Sequence, residues 1–213
     1  KRAEGIIRNH LAKLSSLSSS ELRDLAVVWC YYSGKIEGNT YTYVETETLL
    51  KDGITPEKRY EDAKMLKNLH NTFVGELEYI HKGKNQEQID ERTLFRIHST
   101  ISDGLVSNRE DIMQKLGMIL FEQEQYQNPL ERAVFLHCNV ARIQPFIDGN
   151  KRTSRMLESV VMMNADLIPV YSAKDADILH YRRGLIAFYE TGDYTQYADY
   201  FLGRLEERLK EIE

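Results

Sequence analysis

At 213 residues the chain has the length of one compact domain, and 42% hydrophobic residues with only 4 prolines and 12 glycines exclude a disordered tail. A formal net charge of −5, with acids and bases interspersed, excludes the basic footprint of a nucleic-acid binder. No apolar run approaches a membrane span and no signal-peptide pattern is visible, so the expected setting is cytoplasmic, with neither membrane nor nucleic acid as primary partner. The chain opens on Lys1, which leaves open whether residues precede it in the full polypeptide.

Taken in order, nearly every periodic segment reads as helix. Ser18 with Glu21 is a capping-box pattern that opens a helix through Trp29 and Tyr32, which Gly38 stops. Thr55-Pro56-Glu57 reads as the next start, followed by Leu66, Leu69, Phe73, Leu77 and Ile80 at helical spacing. Asp90 caps a third helix carrying Leu94, Ile97 and Ile101. Residues 104–127 break the pattern; Lys115 to Leu120 reads as a short strand or hairpin, with a helical turn at Arg109 to Gln114 also open. Asn128-Pro129 opens a helix that is apolar on most sides and therefore central. Asp148-Gly149-Asn150 interrupts it, and a helix through Met156, Leu157 and Val160 follows. Ser172 and Asp175 open another, ending near Gly192, and the last carries Tyr197, Phe201, Leu205 and Leu209 on one face. The fold class is all-α with one small β-hairpin, in a single domain over residues 1–213. Cys30 and Cys138 sit inside apolar patterns and read as small buried hydrophobes, not a disulfide.

The stretch Ile143-Gln144-Pro145-Phe146-Ile147-Asp148-Gly149-Asn150-Lys151-Arg152-Thr153-Ser154-Arg155 carries the chemistry. A buried helix ends, a polar turn follows, and a new helix starts with free backbone amides that attract anions. Lys151, Arg152 and Arg155 add cations where the helix dipole opposes them, a local cost that an anionic ligand would offset. Asp148 offers a hard oxygen suited to magnesium bridging phosphates. Spacing alone fits either a nucleotide-phosphate site or a solvated turn with surface arginines.

The same residues resemble the signature of the Fic family, His-Pro-Phe-x-Asp/Glu-Gly-Asn-Gly-Arg-x-x-Arg. Pro145, Phe146, Asp148, Gly149, Asn150, Arg152 and Arg155 match in register, and His137 stands one heptad before the motif, as is frequent in that family. The resemblance implies a Fic-type helical fold with a β-hairpin flap at 105–122, a core helix-loop-helix at 129–165 and an inhibitory helix at 20–40. It implies transfer of AMP from ATP to a hydroxyl side chain of a target protein. Asp148 would hold Mg2+, Gly149 and Asn150 would form the anion hole, and Arg152 and Arg155 would hold the outer phosphates. Phe146 would anchor the loop, and the flap would dock the target by strand addition. The implied partners are ATP and that target protein, with a second copy of the chain a further candidate.

Two positions depart from the pattern. Gln144 stands where the family keeps the histidine that takes the proton from the attacking hydroxyl. A carboxamide orients by hydrogen bonding but is no base near neutral pH. It is either the natural residue of a degenerate member or an inactivating replacement, and in the plainest reading Gln144 only caps a helix. Lys151 stands where AMP-transferring members have glycine and Doc-type toxins have lysine, which leaves phosphoryl transfer as an alternative. His137, seven residues before Gln144 or roughly 10 Å along a helix, cannot reach the same proton and reads as a packed core histidine. His10, His70, His81, His98 and His180 show no metal-ligand spacing and read as structural or exposed.

Upstream, Ser33-Gly34-Lys35-Ile36-Glu37-Gly38-Asn39 resembles the family's inhibitory motif, Ser/Thr-x-x-x-Glu-Gly/Asn. By that resemblance Glu37 would pair with Arg155 and block the outer-phosphate site, with Ser33 bonded to the loop. The alternative is an ordinary helix end capped by Gly38. Three functions therefore stand open: an autoinhibited and impaired adenylyltransferase, a Doc-like phosphotransferase, and a helical module that binds nucleotide or protein without turnover.

Overall fold

The computed structural model describes residues 1–83, 88–103, 113–146 and 148–212. Among them run ten α-helices: α1 (Arg2–Arg8), α2 (Ser19–Ile36), α3 (Tyr43–Asp52), α4 (Tyr60–Gly83), α5 (Glu91–Ile101), α6 (Met113–Glu122), α7 (Pro129–Ile143), α8 (Asn150–Asn164), α9 (Asp175–Thr191) and α10 (Thr195–Ile212). Among the described residues the only extended pairing is an isolated bridge between Lys13 and Leu167. No described helix is long and apolar enough to cross a membrane.

The most extensive helix pair is α7 with α8, the two arms of the signature loop. Leu136, Cys138 and Val140 on α7 and Met156, Leu157 and Val160 on α8 are solvent-free, so both helices are buried on several sides. That enclosure fixes the loop between them at the surface. Helices α4 and α5 pack beside α8, and α2 crosses α4, which brings the C-terminal end of α2 to the loop. Helices α9 and α10 close the other side, crossing where a Cβ on Gly184 would lie 2.8 Å from the Tyr197 Cα, so only glycine permits the approach. Cys30 and Cys138 are free and buried, and burial pushes both thiols up.

The start signals act as chemistry predicts. Ser18 and Glu21 form a reciprocal capping box, Asp90 accepts from the Thr93 amide, and Asn128 accepts from the amides of Leu130 and Glu131. Three expectations are corrected. The segment Lys115 to Leu120 is helical, because Leu116, Ile119 and Leu120 bury one face at helical spacing while Met118 and Phe121 stay exposed. The flap expected at 105–122 is therefore no hairpin over its second half, and residues 105–112 lie outside the described residues. The helix expected at Thr55-Pro56-Glu57 begins instead at Tyr60. Residues 55–59 are drawn aside because Lys58 Nζ donates to the Thr40 carbonyl at 2.7 Å and pairs with Glu45. Helices α1 and α3 were not anticipated. Helix α3 had its signals, since the Thr42 side chain accepts from the Glu45 amide and Gly53 ends the helix in the left-handed region.

Candidate active site

Helix α7 stops at Ile143, because Pro145 disfavours right-handed helical backbone in the residue before it. Gln144 leaves through the left-handed region, with φ +45°, and its side chain is exposed. It is the helix cap, as the plainest reading holds, and it also lines a cavity. The chain then dives: Pro145 and Phe146 are buried, and the Phe146 ring stacks on His98 with centroids 3.4 Å apart and edges toward Phe95. Phe146 thus anchors the loop to α5. His98 Nε2 lies 3.1 Å from the Asp148 carbonyl and 3.0 Å from Ser102 Oγ. Gly149 crosses that pair with φ +78°, and a Cβ there would meet Ser102 Oγ at 3.0 Å, so both backbone and space demand glycine.

Asn150 opens α8 and spends its amide on the loop. Its Oδ1 accepts from the Phe146 N–H and its Nδ2 donates to the Phe146 carbonyl, both at 2.9 Å. The first backbone bond of α8 is Thr153 N–H to the Gly149 carbonyl, and Gly149 offers no capping side chain. The amides of Asn150, Lys151 and Arg152 therefore head the helix without an intrahelical acceptor, the arrangement that receives anions. Arg152 is buried, donates to the exposed Asp148 carboxylate at 3.0 Å, and keeps Nε and Nη1 buried without a partner among the described residues. A desolvated guanidinium that is only partly satisfied favours an additional anion.

Arg155, one turn further, is wholly buried and faces α2. Its Nη2 donates to Glu37 Oε1 at 2.7 Å and its Nε to Ser33 Oγ at 3.1 Å. Ser33 thus holds the arginine, where the sequence suggested a bond to the loop. Lys151 Nζ stands 3.9 Å from the other Glu37 oxygen. Burial alone would raise the Glu37 carboxyl, but the charges of Arg155 and Lys151 and the hydrogen bond from Arg155 hold it below the ordinary range. Arg155 is shifted the other way: burial lowers it, yet Glu37 and the neighbouring phenols leave it net raised. Glu37, Gln144, Asp148, Gly149, Asn150 and Lys151 line one cavity of about 300 Å³, with Ala141 and Tyr189 on its wall. An apolar groove of about 520 Å³ between Tyr126, Phe135 and Tyr194 lies elsewhere and has few polar groups to orient a substrate.

The structure thus brings every sequence-nominated residue to one place: Ser33 and Glu37 from α2, Gln144 and Asp148 from the loop, and Gly149, Asn150, Lys151, Arg152 and Arg155 from α8. His137 is a buried core residue bonded to Tyr181 at 3.0 Å, as expected. His98, also read as structural, is buried but directly supports the loop. The His81 side chain lies outside the described residues. Tyr181, Ser102 and Tyr189 were missed; one residue among many on an apolar helix face carries no signal of what it touches across the fold.

The family model described as Fic/DOC family matches residues 60–162. The chain carries a Fic/DOC family domain. Among curated relatives, a protein adenylyltransferase fic-1 of Caenorhabditis elegans is 25% identical over 192 residues, covering 76% of this chain and 36% of the relative. A protein adenylyltransferase Fic of Drosophila mojavensis is 27% identical over 172 residues, covering 71% of this chain and 34% of the relative. The chain thus spans about a third of the length of these relatives. A Fic-1 structure from C. elegans superposes with a TM-score of 0.81 at 20% identity, over 99% of this chain and 69% of that one. A Fic domain containing signaling protein from Bacteroides thetaiotaomicron gives 0.77 at 19%, over 99% of this chain and 94% of that one. These structural likenesses establish the Fic fold.

Proposed function

We propose that this Fic domain is an autoinhibited protein adenylyltransferase module, slowed by Gln144. The observation that carries the reading is the 2.7 Å ion pair between Glu37 and Arg155 beside an uncapped helix start. Among the described residues the two carboxylates at the cavity are each paired with cations of α8: Glu37 with Arg155 and Lys151, Asp148 with Arg152. An incoming triphosphate would take over those cations and the free amides, and Glu37 would oppose it as a like charge in its path. Glu37 is thereby a brake on nucleotide binding. Asp148, an exposed carboxylate at the cavity, would hold a magnesium ion, which would neutralise phosphate charge. The side chain of this protein that meets the attacking hydroxyl is Gln144, which orients it without removing its proton.

Lys151 favours a second reading, phosphoryl transfer, because its ammonium lies on the same side as Glu37 and would hold a terminal phosphate. Incubation with a candidate target and ATP labelled at the α or the γ position separates the two. Label from the α position on protein supports AMP transfer, and label from the γ position alone replaces it with phosphorylation. Retained ATP binding with neither label leaves a non-catalytic nucleotide-binding module. Binding itself has its own expectation. Asn150→Ala breaks both hydrogen bonds that close the loop and costs about 1–3 kcal/mol, so calorimetry should find Mg-ATP affinity clearly reduced. Gln144→Ala should leave the affinity within about twofold, since the carboxamide makes no phosphate contact in this reading. Equal affinities for the wild type and both variants would mean that the loop is no phosphate site.

A further inference from the structure

Arg155 distributes its donors between two helices. Ser33 Oγ, the Ser33 carbonyl and Glu37 Oε1 accept from it at 3.1, 3.4 and 2.7 Å, and all three belong to α2 or its cap. From the opposite side Nη1 donates to the Tyr181 hydroxyl of α9 at 3.3 Å, with the guanidinium carbon 5.9 Å from the ring centroid. Among the described residues Tyr181 is the hydrogen-bond partner that this guanidinium would keep if the end of α2 let go.

The Tyr181 hydroxyl is itself held. His137 Nε2 lies 3.0 Å away, and a hydroxyl that accepts from Arg155 has its one proton left to donate to that nitrogen. With that proton donated, Nε2 is the acceptor and the ring proton is assigned to Nδ1, which lies 3.3 Å from Glu158 Oε2 in an electrostatic contact that is not a well-aligned hydrogen bond. Glu158 is fixed in turn by the Tyr171 and Tyr197 hydroxyls at 2.5 and 2.8 Å. His137, Glu158, Tyr181 and Tyr197 are all solvent-free. Apolar replacements of buried polar networks are often no less stable, so stability alone does not account for this polar chain.

We propose that Tyr181, oriented by His137 and Glu158, is a positioning residue that keeps Arg155 aimed at the loop cavity once Glu37 has left it. The proposal rests on reading Arg155 as a phosphate ligand. In the closed state the α2 contacts hold the guanidinium whether or not Tyr181 helps. Once Glu37 has left, Tyr181 holds Nη1 from the side opposite α2 and limits reorientation of the side chain, so nucleotide meets a preorganised cation.

The test is calorimetric titration of Mg-ATP into Glu37→Gly and into the same protein with Tyr181→Phe, His137→Gln or His137→Leu added, each first shown to unfold cooperatively. Tyr181→Phe and His137→Leu are expected to weaken binding about tenfold, the scale of one hydrogen bond to a charged group. His137→Gln, whose amide oxygen can accept the Tyr181 proton, should stay within about twofold of Glu37→Gly. Should His137→Leu not fold, Tyr181→Phe still decides, because it removes one oxygen from an unchanged ring. Equal affinity for Glu37→Gly with and without Tyr181→Phe would overturn the proposal, as would a loss in His137→Gln equal to that in His137→Leu. Failure of Glu37→Gly itself to bind ATP would instead overturn the phosphate-site reading and take the relay with it.

Discussion

Gln144→His is expected to raise modification of a target protein, or of the domain itself, by about 10²–10⁴-fold, the range that a positioned general base supplies. The backbone already suits the replacement. Position 144 sits at the end of α7 in the left-handed region, a conformation that histidine tolerates better than most side chains. Its side chain is exposed at the cavity that holds Asp148, Gly149 and Asn150, so an imidazole there would face a bound phosphate and an attacking hydroxyl without remodelling the loop. Pro145 and Phe146 are held independently, by burial and by the stack on His98. The gain should therefore appear in turnover, with ATP affinity little changed. Initial rates with α-labelled ATP measure it, and the same rate for glutamine and histidine, with Glu37 removed from both, would sink the acid–base reading.

Glu37→Gly is expected to act in two opposite directions. Without nucleotide it should destabilise the domain by about 3 kcal/mol, because Arg155 is fully buried and loses its only paired carboxylate among the described residues. With Mg-ATP at a hundredfold excess over its dissociation constant, about 2.7 kcal/mol should return through binding alone. Urea unfolding with and without nucleotide reads both effects. On the Gln144→His background the same change should raise transfer above that of the single variant, and equal rates would show that Glu37 is no brake. Acid gives an independent check of the pair. The folded Glu37 carboxyl lies below its ordinary value of about 4.3, so its ionised form contributes stability that is complete above that value. The contribution is lost as pH falls through the lowered folded value. The stability advantage of wild type over Glu37→Gln should accordingly be full at neutral pH and shrink below about pH 4. An advantage independent of pH over that window would mean that the carboxylate charge contributes nothing.

The site was legible where its residues are neighbours in the chain. The register from Pro145 to Arg155 places a helix end, a turn that needs glycine and a helix start within a few residues, and such local geometry follows from local chemistry. The pairing of Glu37 with Arg155 was legible only through resemblance, since 118 residues separate them and nothing in periodicity brings them together. Asn150 stays a candidate for the anion hole through its backbone amide, while its side-chain amide is committed to both backbone groups of Phe146. A motif names a residue but not which of its atoms remain free.

By itself the sequence determined the all-α class, the caps at Ser18, Asp90 and Asn128, the free and buried state of both cysteines, and the helix–loop–helix that carries the cations. Each of these depends on contacts within a turn or two of chain, or on an apolar period that any enclosing partner would satisfy. Only the tertiary structure decided that residues 115–120 coil into α6, because a short apolar run suits strand or helix until a neighbour selects the face to be buried. Only it placed Ser33 on Arg155, stacked Phe146 on His98, and joined Arg155 through Tyr181 to His137. Those contacts arise from the way α2, α5 and α9 pack around the α7–α8 pair, and packing joins side chains whose separation along the chain holds no record of their meeting.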